Sequence, residues 1–276
     1  MFARPYILPA SLLALIALAM AVAGPIPQLT DYHAFADQRA LAGLANAADV
    51  LSNLGFLAVG AYGLLLVQRA RTLRHLDDVR FSYGLFFAAL VATAFGSSWY
   101  HLAPDDTRLL FDRLPIALAC AGLLAVTARR HLDAPRCING LLVAFAVGSV
   151  SWWGLTEDLR PYLLLQIAPL VVIPVVLVAN RAPKAELEAF GCAIGWYVLA
   201  KVFEMADHSV FDVLGVSGHT IKHVLATAGT LCIARYLSAQ VGTVVIPAHA
   251  GTPAESSGGA NVYVRDARHG SPRARG

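Results

Sequence analysis

The sequence predicts an all-α integral membrane protein: a seven-transmembrane helix bundle preceded by an additional N-terminal helix or a signal peptide. Of the 276 residues, 57% are hydrophobic and only 14% are charged. A soluble domain usually has about a quarter charged residues. Because so few charged side chains cannot cover a water-exposed surface, lipid is the expected solvent. The formal net charge is only +3 and is spread along the chain, which gives no support for nucleic-acid binding.

Eight apolar stretches are long enough, or nearly long enough, to cross a bilayer. A hydrocarbon core about 30 Å thick needs roughly 20 residues of helix. The stretches are too long and continuous for the strands of a membrane barrel, so we expect helices. They cover residues 7–24, 46–68, 81–101, 109–128, 138–155, 161–179, 186–206 and 218–238.

Basic residues in the links between these stretches predict the orientation, because cytoplasmic links are enriched in Lys and Arg. The internal links on one side contain Arg69, Arg71, Arg74, Arg80, Arg129, Arg130, Arg136, Arg181 and Lys184. The links on the other side contain only Arg39, Arg108 and Arg160, with Arg113 just inside the fourth stretch. The first side is therefore expected to be cytoplasmic, and with eight spans both termini lie there.

The two ends of the chain differ from the bundle at residues 25–240. Residues 1–24 contain Arg4 and then an apolar run that ends in Ala-Val-Ala-Gly. This pattern fits an uncleaved transmembrane helix or a signal peptide, and the remaining helices keep their orientation in either case. Residues 241–276 are rich in Gly, Ser, Ala, Pro and Arg, which predicts a disordered cytoplasmic tail.

Five polar residues at the ends of predicted spans are the candidate functional residues. Ser97 and His101 are four apart at the end of the third stretch, and Asp112 lies near the start of the fourth. His219 and His223 are four apart at the start of the eighth, so one helix face presents both imidazoles. The predicted orientation brings all five to the same depth, near the non-cytoplasmic surface.

This set of side chains matches the requirements of a zinc hydrolase. Three His ligands leave the fourth tetrahedral position of zinc for water or substrate. Asp112 can act as the general base and acid, and the Ser97 hydroxyl can stabilise an oxyanion. The alternative is that the histidines only form hydrogen bonds between helices or line a cavity. Ionisable groups within membrane helices are costly, which favours the functional interpretation.

The pattern Ser97-x3-His101, Asp112 and His219-x3-His223 resembles the CREST superfamily, which includes the alkaline ceramidases, the PAQR receptors and related membrane hydrolases. The resemblance covers roughly residues 30–240. It implies a seven-helix bundle with zinc bound by the three His, and with Asp112 and Ser97 as the catalytic residues. The link Asp-Tyr-His-Ala-Phe-Ala-Asp-Gln-Arg resembles the bacterial branch, which implies a bacterial inner membrane with the zinc site near its periplasmic face.

A second motif of the alkaline ceramidases, Glu-x2-Asn-x2-Ser-Asn, reads Asn46-x2-Asp49-x2-Ser52-Asn53 in this chain. Only the last two positions match. In the family the Glu helps to bind calcium together with acidic residues upstream, so the resemblance makes Ca²⁺ a candidate second ion despite the missing Glu. Its candidate ligands here are Asp31, Asp37, Asn46 and Asp49.

Four more ionisable residues lie near the candidate site. Lys201 and Glu204 are three apart, which predicts an ion pair within the membrane. Asp207 is expected closer to the site, as a hydrogen-bond acceptor that orients a histidine ligand. Lys222 is next to His223 in sequence and is expected on a different face of the helix.

The substrate class rests on the resemblance. It implies ceramide or another N-acyl lipid, whose acyl chain enters from the bilayer and whose amide meets the zinc. Three alternatives remain open: an esterase or lipid-remodelling enzyme with the same zinc site, a PAQR-like receptor, and a transporter whose ionisable groups line a path.

Overall fold

Helices form almost all of the regular structure. The computed structural model describes residues 6–242, and within them the only strand-type pairing is an isolated bridge between Leu41 and Leu44. The predicted tail lies almost entirely outside the described residues. The helices are α1 (Ile7–Ala23), α2 (Ala47–Ser52), α3 (Leu54–Arg69), α4 (Arg80–Leu102), α5 (Asp106–His131), α6 (Cys137–Thr156), α7 (Arg160–Ala179), α8 (Lys184–Met205), α9 (Asp207–Leu214) and α10 (Gly218–Gly242).

The length and composition of these helices agree with a multi-pass membrane bundle. Six segments of the described chain could each cross a bilayer: α2 with α3 and the turn to Thr72, then α4, α5, α6, α7 and α10. A seventh span results if α8 and α9 count as one. Helix α1 has 17 residues, so it is an additional apolar helix that is shorter than each of these six segments.

The seventh span departs from the simple helix that the sequence predicts. Helices α8 and α9 meet at an angle of 82° after a break at Ala206. Directly after α9, Gly218 begins α10, and a Cβ atom at this glycine would lie 2.2 Å from the carbonyl oxygen of Phe203. The bend therefore lets the first turn of α10 pack against the end of α8, where a side chain at position 218 would clash.

Glycines also determine the distance between α4 and its neighbours. A Cβ atom at Gly96 would lie 2.1 Å from the carbonyl oxygen of Phe111, so α4 and α5 approach at backbone contact there. On the other side of α4, the ring of Phe87 packs where a side chain at Gly63 of α3 would lie. Small residues commonly allow such close packing of membrane helices.

The segment between α1 and α2 is tied to the same end of the bundle. The amide of Ile26 donates to Asp158 in the α6–α7 link (3.1 Å), and the amide of Ala36 donates to Asp207 at the start of α9 (2.9 Å). Asp158 also forms an ion pair with Arg160 (2.8 Å). The guanidinium of Arg160 keeps the pKa of Asp158 well below its usual range. This segment thus lies across the end of the bundle that carries the candidate residues.

Replacement of Gly96 by alanine should destabilise the protein. The new methyl group must push α5 away from α4, and overpacking of this kind typically costs about 1–3 kcal/mol. We expect a lower midpoint of thermal unfolding in detergent. Gly148→Ala is the matched control, because a Cβ atom there meets no atom within 4 Å. An equal effect of the two substitutions would contradict the proposed backbone contact.

Candidate metal centre

Three imidazoles converge at one end of the bundle. His101 lies in the last turn of α4, while His219 and His223 lie in the first two turns of α10. All three side chains are buried, with exposed fractions of 0%, 5% and 3%. One ring nitrogen from each lies within 4.8 Å of the others. The i, i+4 spacing in α10 and the close approach of α4 therefore produce the convergence that the sequence predicts.

The arrangement fits a zinc ion. The Nε2 atoms of His101 and His219 are 3.2 Å apart. Two nitrogens bound to one tetrahedral zinc at ordinary bond lengths would be separated by roughly 3.3 Å. Nδ1 of His101 is buried and has no hydrogen-bond partner. A set of three imidazole ligands is typical of zinc sites. The residues present can thus hold a metal ion, and zinc is the identity that the ligand types predict.

Ser52 sets the orientation and the tautomer of His223. The hydroxyl of Ser52 donates its single proton to the backbone oxygen of Asp49 (2.9 Å) and contacts Nδ1 of His223 at 2.7 Å. Since that proton is already used, Nδ1 of His223 must carry the hydrogen and donate it to Ser52. Nε2 of His223 is then left unprotonated, as a metal ligand requires.

The side chains of Asn46 and Asp49 hold together the helices that carry the histidines. The amide of Asn46 donates to the backbone oxygen of His101 (2.7 Å). One carboxylate oxygen of Asp49 accepts from the hydroxyl of Thr220 (2.5 Å), next to His219, and the other has no partner. Both contacts link the start of the α2–α3 span to a helix with a ligand.

The candidate calcium ligands do not converge in the described part of the chain, where the His triad is the one metal-type cluster. Asp31 is exposed, and Asp37 forms an ion pair with Arg39 (2.6 Å). The guanidinium of Arg39 lowers the pKa of Asp37. The charge of Asp37 is therefore neutralised by an arginine, and Asp49 faces α10 instead.

Asp207 supports His219 through the main chain. Its carboxylate accepts from the backbone amides of His219 and Ala36, both at 2.9 Å. The sequence predicted an acceptor for a histidine ring, whereas the structure shows a brace between the first turn of α10 and the N-terminal segment. The bend after α8 places Asp207 at this position.

A partly buried ion-pair network adjoins the triad. The ammonium of Lys201 contacts Glu204 (2.6 Å), which confirms the predicted pair. Glu204 also contacts Lys222 (3.1 Å), whose ammonium lies 2.9 Å from Nε2 of His219. The prediction separated Lys222 from His223 and did not anticipate this contact with His219. Lys222 follows His219 by three residues, and this spacing places the two side chains on neighbouring positions of the helix.

Phe35 covers the triad from the N-terminal segment. Its ring centroid lies 4.8 Å from that of His101 and 4.4 Å from that of His219, and the side chain is 6% exposed. Nothing in the sequence signals this contact, because a single Phe in a long link has no periodicity. The ring excludes water from one side of the metal centre.

A cavity of about 300 Å³ extends from the triad into the bundle. Ser97, Asp112 and His223 line it. The structure therefore brings the two predicted catalytic residues to the cavity that His223 faces. Much of the remaining wall is apolar and includes Phe86, Leu123, Ile173, Phe190 and Ile233. Most ligand cavities combine an apolar lining with a few polar groups in this way.

Comparison with known proteins gives no relatives. No protein-family model, no curated protein and no solved structure matches this chain. The ceramidase-like assignment consequently stays a prediction from the residues quoted above.

The contact between Ser52 and His223 predicts a specific loss of metal affinity. Ser52→Ala removes the acceptor for Nδ1–H, and loss of such an outer contact typically lowers metal affinity about 10–100-fold. We expect this weakening in a zinc competition titration of the purified protein. Ser98→Ala is the control, since that hydroxyl only contacts the backbone oxygen of Val50 (3.2 Å). Equal zinc affinity in Ser52→Ala and the wild type would refute the role of Ser52.

Proposed function

We propose that this protein is a zinc-dependent, membrane-embedded hydrolase that cleaves the amide bond of ceramide or a related N-acyl lipid. The observation that carries the proposal is a triad of buried imidazoles, one of which, His223, lines a mainly apolar cavity together with Asp112 and Ser97. His101, His219 and His223 would hold the ion. A bound zinc ion would act as a Lewis acid towards the amide carbonyl and lower the pKa of a coordinated water.

The residues of the chain would carry the proton transfers. Asp112 takes a proton from the attacking water as the oxygen bonds to the carbonyl carbon. The hydroxyl of Ser97 can donate its proton to the oxygen that gains negative charge. Asp112 then delivers the proton to the amide nitrogen while the carbon–nitrogen bond breaks. The products are a fatty acid and an amine, so one water is consumed and no other reactant is needed.

The shape of the cavity supports a lipid substrate. Polar groups stand at one part of its wall, whereas α4, α5, α7, α8 and α10 supply apolar side chains. An acyl chain can bury its methylene groups there, each worth about 0.8 kcal/mol. The distribution of basic residues would put the site at the periplasmic face of a bacterial inner membrane. The same residues would also serve an ester, which differs only in its leaving group.

Asp112→Asn should abolish hydrolysis while zinc remains bound. The amide cannot accept a proton, and general acid–base catalysis contributes typically about 10²–10⁴-fold. The measurement is the release of fatty acid from ceramide and other N-acyl and O-acyl lipids in detergent micelles, beside the zinc content of each sample. A fall of at least roughly a hundredfold with unchanged zinc is expected.

Asp106→Asn provides the matched control, because Asp106 lies on the same helix but its carboxylate is exposed and contacts His33 (3.1 Å). It should retain wild-type turnover. Undiminished turnover in Asp112→Asn would remove Asp112 from the reaction. If the zinc-loaded wild type hydrolyses neither class of lipid, the hydrolase proposal fails, and a receptor or transport role would account better for the buried polar groups.

A further inference from the structure

Arg113 is a buried cation that no carboxylate neutralises. It follows Asp112 on α5, its side chain is 3% exposed, and it lines the same cavity. No ion pair forms between Arg113 and a carboxylate anywhere in residues 6–242. Its Nη2 donates to the amide oxygen of Gln28, while Nε and Nη1 are buried without any acceptor.

Aromatic rings surround the guanidinium on several sides. Its central carbon lies 3.9 Å from the ring centroid of Trp153, 5.2 Å from that of Tyr32 and 5.3 Å from that of Tyr162. Ring faces attract a cation, and they hold the guanidinium in place. They do not accept the hydrogen bonds of its remaining N–H groups. A buried charge whose donors are unused is destabilising, so the site is complete only with a further acceptor.

The whole cavity has an excess of positive charge. Its lining includes three cations, Arg113, Lys201 and Lys222, and two carboxylates, Asp112 and Glu204. Both lysines contact Glu204, so that carboxylate is fully shared. Asp112 is the neighbour of Arg113 in sequence, but their charged atoms form no ion pair. Lys201 and Lys222 thus retain one positive charge between them, and Arg113 is the cation of this lining that forms no ion pair.

We propose that Arg113 binds an anionic group, a phosphate or a carboxylate, on the lipid that occupies the cavity. This inference rests on the proposed function for the acyl-amide part of the substrate and specifies its other part. A guanidinium is suited to both groups, because its N–H donors match their oxygens. The substrate class is then an N-acyl lipid with an acidic group on the amine side of the amide.

The positions of the two residues agree with this assignment. Asp112 and Arg113 are consecutive on one helix and both line the cavity, so the acidic group lies within a short distance of the amide. The acyl chain then extends along the apolar walls. An uncharged head group would leave Nε and Nη1 of Arg113 without an ionic partner.

Binding of hexadecyl phosphate and hexadecanol by zinc-loaded protein tests the proposal. Neither probe contains an amide, so the result does not depend on hydrolysis. In nonionic micelles we expect the phosphate to bind at least tenfold more tightly to the wild type. Equal affinity of the two probes would overturn the proposal, and this comparison needs no variant.

Substitutions of Arg113 test whether this residue causes the preference for hexadecyl phosphate over hexadecanol. Arg113→Gln should reduce the preference to less than about threefold, and Arg113→Lys should retain part of it because the charge remains. Arg108→Gln is the matched control on the same helix, since Arg108 contacts Asp105 and the backbone oxygen of Ala103 and does not line the cavity. A preference that survives in folded Arg113→Gln would refute the role of Arg113.

Two further measurements separate the sources of the anion and the two proposals. Inorganic phosphate at the same concentration should not displace hexadecyl phosphate, and equal competition would refute a lipid ligand.

The hydrolysis of two N-acyl lipids separates the two proposals. N-palmitoylglycine should be hydrolysed with a higher kcat/KM than N-palmitoylethanolamine. A preference for the anionic probe without hydrolysis of any lipid would remove the hydrolase proposal alone. Hydrolysis without a preference for acidic lipids would remove the anion site alone.

Discussion

The distance between helix backbones is the constraint on which the metal centre depends. An imidazole reaches only a few ångströms from its helix, so three of them meet only if α4 and α10 are held closely within the bundle. Gly96 allows α4 to contact the backbone of α5, and Gly218 allows α10 to contact the end of α8. Lipid offers no hydrophobic drive for helices to associate, so packing at such small residues has to supply it. These two contacts help to position the helices that carry the candidate metal ligands.

Hydrogen bonds then hold the three histidines that the helix packing brings together. Asn46 holds the backbone of His101, Asp207 holds the backbone of His219, and Ser52 connects α2 to the ring of His223. The α2 segment therefore contacts two of the candidate ligands, and Asp207 at the start of α9 contacts the third. In a medium without water such bonds have few competitors, which makes a polar network in this position an effective brace. Asn46 and Ser52, which belong to the motif Asn46-x2-Asp49-x2-Ser52-Asn53, thus support the histidines by hydrogen bonds, and this role does not require a second ion.

Local periodicity made part of this arrangement predictable from the sequence. The spacing of His219 and His223 places both side chains on one helix face. The distribution of Lys and Arg in the links predicted that this pair and the pair Ser97 and His101 lie at the same end of the bundle. The same periodicity would also have found Lys222 beside His219. Tertiary features had no such signal: the 82° bend after α8, the short helix α9 and the contact of Phe35 with two rings depend on distant parts of the chain. Arg113 was visible only as a basic residue just inside a span.

The N-terminal segment has a consequence for the kinetics of metal exchange. Phe35 packs against His101 and His219, and Asp158 and Asp207 fasten the chain on either side of it through the amides of Ile26 and Ala36. An ion that approaches from the aqueous phase at this end meets an aromatic ring held by two charged anchors. Direct entry and escape there require at least one anchor to open, so the rate of opening, rather than ligand strength alone, limits exchange by this route. A metal ion held by the three imidazoles would then have a longer residence time than its equilibrium affinity alone implies.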